Sequence, residues 1–109
     1  MSEAARLPAR LEVAAMLRRV QAEGGFAVVL RKGEPDGGTI LVVLTENGAN
    51  VRVFERMPAP SGHRIWYQSK TQDIENKAEL SDWLTRRGDQ DPDLWIVELD
   101  IANAERFIP

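Results

Sequence analysis

Cysteine is missing from this 109-residue chain, which excludes disulfides, thiolate metal sites and a cysteine nucleophile. Histidine occurs once, as His63. No stretch approaches the apolar length that spans a bilayer, and MSEAARLPARLEV lacks the long apolar core of a secretion signal. The expectation is a cytoplasmic protein. A strongly basic balance is also lacking: 14 Lys and Arg stand against 17 Asp and Glu, for a net charge of -3, whereas nucleic-acid domains are usually far more basic.

The residues that are present describe an ordinary globule, 43% hydrophobic and 28% charged. A chain of this mass forms one domain, residues 1–109, and buries about 65% of its unfolded surface. Its charge is uneven: residues 1–70 hold ten basic against seven acidic side chains, residues 71–109 four against ten, giving parts of +3 and -6. Eleven of the fourteen basic residues are arginine. Arginine is the better fork for phosphate or carboxylate, but the same bias arises from a GC-rich genome.

The first helix begins at Pro8, whose missing N–H is not needed in a first turn, and runs to about Glu23. Val13, Met16, Leu17 and Val20 have the i, i+3, i+4, i+7 spacing of one buried face. Gly24-Gly25 supplies left-handed positions to end it, and FAVVLR reads as a strand. TILVVLT, apolar almost throughout, reads as a middle strand covered on both sides. Asn47-Gly48 makes a turn into VRVFER, which alternates Val51 and Val53 against Arg52, Phe54 and Arg56. MPAPSGH is a loop and IWYQS a fourth strand. Asn76 and Glu79 have capping-box spacing ahead of a helix, KAELSDWLTRR, that buries Leu80, Trp83 and Leu84 and stops at Gly88. LWIVEL is the last strand, placed inside the sheet, and NAERFI makes a terminal turn that docks Phe107 and Ile108.

Between the first two strands lies RKGEPDGGT, residues 31–39, with three glycines and a proline. A phosphate-binding loop needs a helix after it, but another strand follows; Glu34 and Asp36 also put negative charge where an anion would sit. The expectation is a hairpin turn at Pro35-Asp36-Gly37-Gly38, making the first three strands an antiparallel meander. The fold class expected is α+β, in the order α-β-β-β-β-α-β, with a mixed, mostly antiparallel sheet and both helices packed on one face.

The run EVAAMLRRVQAEGGFAVVLRKGEPDGGTILVVL, then VRVFERMP, LTRRGDQDPDLWIVELD and AERF, resembles a family of small alphaproteobacterial proteins, domain of unknown function 1491. The resemblance covers nearly the whole chain. It implies a bacterial, cytoplasmic protein and brings no functional residues with it.

Candidate chemistries are then weighed on the residues. Ser61-Gly62-His63 is briefly like a nucleophile beside its base, but a triad needs side chains converging from separate parts of a fold. Asp89, Asp91 and Asp93 open like a calcium loop, yet the sixth position is Leu94 instead of glycine and the twelfth is Asp100 instead of glutamate. The element order overlaps that of restriction-endonuclease-like folds, but TILVVLT carries no carboxylate and Glu55-Arg56-Met57 lacks the lysine such sites use, leaving an enzyme with a relict nuclease-like fold as a remote alternative. No catalytic residue, metal or cofactor is assigned. The leading expectation is a small non-catalytic interaction module that binds a protein partner or forms a homodimer, since an exposed edge strand can pair across a dimer axis. The alternative is RNA or single-stranded DNA binding by a basic, aromatic sheet surface of Arg31, Arg52, Phe54, Arg56, Arg64 and Trp66. Against it stands burial of Phe54 under the helices, with the arginines paired to acidic residues.

Overall fold

In the computed structural model, which describes residues 7–58, 64–71 and 76–108, the elements follow the expected order. They are α1 (Ala9–Ala22), β1 (Phe26–Arg31), β2 (Ile40–Glu46), β3 (Ala49–Pro58), β4 (Arg64–Thr71), α2 (Lys77–Gln90), β5 (Trp95–Asp100) and a 3-10 turn (Ala104–Phe107). No helix among the described residues is long and apolar enough to cross a membrane.

Helix α1 is defined by its ends. Its first N–H groups, on Ala9 and Arg10, donate to the carbonyls of Asp36 and Pro35 at 2.9 and 2.8 Å, so the glycine-rich loop caps the helix. At the other end Gly24 takes φ +89°. There the Gly25 N–H bonds to Val20 O and the Gly24 N–H to Gln21 O, the double closure that glycine in the left-handed region allows. Val13, Met16 and Val20 are buried, and Leu17 packs partly buried beside them.

The strands form one five-stranded sheet in the order β1-β5-β2-β3-β4. β5 runs antiparallel to β1 and parallel to β2; β2, β3 and β4 form an antiparallel meander. The sheet is therefore mixed and mostly antiparallel, as expected. The hairpin expected at residues 31–39 is not formed, because β5 is inserted between β1 and β2 and the loop bridges over its end. Asn47 and Gly48, both at positive φ, make the tight β2–β3 hairpin that their residue types favour.

Side-chain alternation along the strands divides the core in two. Ile40, Val42 and Leu44 of β2, with Trp95, Val97 and Leu99 of β5, face α1 and the 3-10 turn, where Ala104 and Phe107 are buried. Leu41 and Val43, with Val53, Leu94 and Ile96, face α2 through Leu80, Trp83 and Leu84. The helices thus lie on opposite faces, which corrects the expectation of a shared one. The physical reason is the two central strands: β2 is apolar on both sides, and each exposed Val, Leu or Ile side chain would forgo about 1.5–3 kcal/mol of burial. One helix cannot cover both.

α2 also departs from expectation at its ends. Asn76 makes no side-chain cap; among the described residues its carbonyl accepts the Glu79 N–H. The helix continues through Gly88 to Gln90 because Gly88 is buried beneath the Arg31 side chain and does not turn the chain.

Candidate functional site

The loop at residues 32–39 is built to pack. Gly33 and Gly38 lie against the chain before β5, and a Cβ at either would sit 2.3 Å from the Asp93 carbonyl oxygen. The indole N–H of Trp95 donates to Glu34 O at 2.8 Å, and the Glu34 N–H donates to Asp93 O at 3.0 Å. A Glu34 carboxylate oxygen accepts the N–H groups of Asp36 and Gly37. A side chain of the loop itself thus occupies the donors that a phosphate would need.

The residues proposed for a basic surface are divided by the fold. Arg52, Phe54, Arg56 and Trp66 share the α1 face, in register across β3 and β4. Phe54 and Trp66 pack partly buried against that core. Arg56, with 8% of its side chain exposed, forms a bidentate pair with Glu12, one contact at 2.6 Å, and its guanidinium stands 5.3 Å from the Trp66 ring centroid. Arg52, 9% exposed, lies 2.9 Å from a Glu105 oxygen and donates to the Asn50 carbonyl at 2.6 Å. Arg31 belongs to the other face, where it meets Asp89 of α2 at 3.2 Å. The backbone of Arg64 opens β4; its side chain lies outside the described residues. Arg52 and Arg56 thus pair with acidic residues instead of presenting a free basic surface.

On the α2 face the counterpart is Glu55. Its carboxylate accepts both Arg87 terminal nitrogens at 2.6 and 2.8 Å, and Arg87 also stands 5.4 Å from the Trp83 ring. Burial alone would raise the Glu55 carboxyl, but the hydrogen bonds and charge of Arg87 outweigh it and hold the pKa below the ordinary carboxylate value. The same hydrogen bonds raise the Arg87 guanidinium. This pair was not anticipated: the partners are 32 positions apart, and only the sheet's facing could have brought them to mind.

Asp89 faces Arg31, and Asp91 Oδ1 accepts the Asp93 N–H at 3.1 Å, the arrangement of an acidic turn. Among the described residues no group of three histidine or carboxylate side chains is placed to hold a metal ion. Ser61, Gly62 and His63 lie outside the described residues.

Two further features stand out among the described residues. β1 forms one edge of the sheet and exposes Phe26, Val28 and Leu30 to 79%, 49% and 48%. Inward from it, between the start of α2 and the sheet, lies a cavity of about 340 Å³ walled by Leu30, Val43, Val51, Leu80 and Leu84 and containing Glu98. Burial, and then the negative charge of Asp100, raise the Glu98 carboxyl above its ordinary pKa.

These elements define a class: a small α+β module whose central mixed sheet is clamped to a helix on each face by arginine–carboxylate pairs. The chain belongs to the family described as protein of unknown function DUF1491, whose model matches residues 7–109. It is similar to a crystal structure of a DUF1491 family protein from Caulobacter crescentus CB15, at 28% identity and a TM-score of 0.81, covering 94% of this chain and 95% of that one. An NMR structure of a DUF1491 family protein from the same bacterium gives 31% identity and a TM-score of 0.78, with coverage of 93% and 91%. The solution structure of protein Atu0922 from A. tumefaciens gives 28% identity and a TM-score of 0.73, with coverage of 94% and 92%. No protein with a curated description matches.

Proposed function

We propose that the protein is a non-catalytic, cytoplasmic interaction module that self-associates through the β1 edge. The observation that carries this reading is the alternate exposure of Phe26, Val28 and Leu30 on a strand whose outer backbone groups have no strand neighbour among the described residues. Ala27 and Val29, the intervening residues, pack against the α1 core, so the strand is held in place while its other face stays bare. An edge of this kind is a template for another strand.

A second copy is the occupant that fits best. Antiparallel pairing about Val28 would set Val28 against the partner's Val28 and Phe26 against the partner's Leu30, an isologous contact of apolar side chains. The same alignment brings the basic end of each strand, Arg31 and Lys32, toward the end of the other where Glu23 and Asp100 lie.

Light scattering at micromolar concentration tests it. The expected mass is twice that of the 12.2 kDa chain, reverting to the single-chain value in Val28→Lys. A monomer at every concentration up to the solubility limit would overturn the reading.

A further inference from the structure

The cavity between α2 and the sheet adjoins the β1 edge, sharing Leu30 with it, and its chemistry is more specific. Its volume of about 340 Å³ falls within the range of small-molecule sites, about 300–1,000 Å³. The apolar part of the wall is Leu30 from β1, Val43 from β2, Val51 from β3, and Leu80 and Leu84 from α2, while Thr45, Lys77 and Ser81 contribute polar groups at its rim. The main acidic group is Glu98 of β5, which sits opposite Val28 in the ladder and is half-buried.

Glu98 differs from Glu12 and Glu55, the two carboxylates that tie the sheet to its helices. Glu12 and Glu55 each receive a bidentate arginine. Glu98 has no hydrogen bond or ion pair with any described residue, and its charged neighbour is another carboxylate, Asp100. Lys77 lines the cavity from the first turn of α2 and forms no ion pair with Glu98 in this structure. An uncompensated carboxylate against apolar walls is costly in the empty state and complementary to a cation.

From this combination we infer that the cavity binds a small aliphatic ammonium ion, the alkyl chain lying along Val43, Leu80 and Leu84 and the ammonium group pairing with Glu98. The apolar walls supply affinity through burial, and the carboxylate supplies discrimination, because an alcohol or acid of the same length leaves Glu98 unpaired.

NMR titration of the full chain with hexylammonium, hexanol and hexanoate tests the assignment, read from the methyl groups of Val43, Leu80 and Leu84. Hexylammonium is expected to shift these methyls and to bind about tenfold more tightly than hexanol, as a charge-assisted hydrogen bond requires. Hexanoate is expected to bind most weakly. In Glu98→Gln the advantage over hexanol should vanish, and in Ser81→Phe, which fills the cavity from the exposed side of α2, all three probes should lose the shifts. Lowering the pH should weaken hexylammonium in the wild-type chain while leaving hexanol unchanged, a readout that needs no variant. Equal or tighter binding of hexanol or hexanoate, or methyls that stay unmoved by every probe, would overturn the inference. So would shifts that persist in Ser81→Phe.

Discussion

Glu55 and Arg56 are consecutive on β3, and each forms a two-pronged ion pair with a different helix, Glu55 with Arg87 of α2 and Arg56 with Glu12 of α1. Alternation along a strand points neighbours to opposite faces. Two adjacent residues therefore fasten both helices to the sheet, and the pairs have opposite polarity: the strand supplies the acid on one side and the base on the other.

Glu55 makes stability depend on pH in a defined direction. Its folded-state pKa lies below the ordinary value, so its contribution is present above the unfolded carboxylate pKa of about 4.3 and is lost as the pH falls through the folded value. Urea unfolding at a series of pH values should show Glu55→Gln less stable than wild type at neutrality, with the gap closing in acid. A constant gap down to about pH 2 would contradict the assignment.

Glu98 works in the opposite sense. Its pKa is raised by burial and by Asp100, so the folded state tolerates the protonated form better. The stability it supports is full below the unfolded pKa and disappears as the pH rises through the folded one. Glu98→Gln should therefore raise the neutral-pH Tm, and the gain should fade in acid.

The Arg56–Glu12 pair should behave as a buried one. Arg56 keeps only 8% of its side chain exposed, so removing its partner leaves a charge in a poor solvent. Glu12→Ala should cost about 3–5 kcal/mol, and Arg56→Met considerably less, since an apolar replacement leaves only Glu12, which is nearer water. Denaturant midpoints compare the two; equal losses would mean that the pair acts as a surface one.

Gly37 and Gly38 are adjacent and should respond differently to alanine. At Gly38 the new Cβ meets Asp93 O at 2.3 Å, a backbone atom that cannot swing aside, whereas at Gly37 the nearest atom is a Glu34 carboxylate oxygen at 3.6 Å. Gly38→Ala should cost about 2–3 kcal/mol or more, and Gly37→Ala should be near neutral or slightly stabilising. Thermal melts of the two variants decide it.

Most of the elements were legible from the sequence because they depend on local pattern. The 3.6-residue spacing of Val13, Met16 and Val20, the alternation of VRVFER, and Asn47-Gly48 all describe what a segment does by itself. Which strand lies beside which does not follow from local pattern. Pro35-Asp36-Gly37-Gly38 has the composition of a hairpin turn, yet its glycines serve contact with Asp93 and Trp95, residues far along the chain. The facing of the helices is nearer to hand: TILVVLT is apolar on both sides, which already calls for a helix on each. The basic surface illustrates the same limit. Arg52, Phe54 and Arg56 were placed on one face correctly, but Glu12 and Glu105, which meet the two arginines there, lie 44 and 53 positions from them in the chain.

The position of β5 has a consequence for how the molecule is made. This strand follows the other four in the chain, yet lies between β1 and β2. While the ribosome is still adding residues before Trp95, the lone strand β1 and the β2-β3-β4 meander lack the strand that joins them, and the apolar edges it will cover stay bare. The gap closes only when the final strand emerges, so a stop codon upstream of it would yield a product prone to clumping and attractive to chaperones.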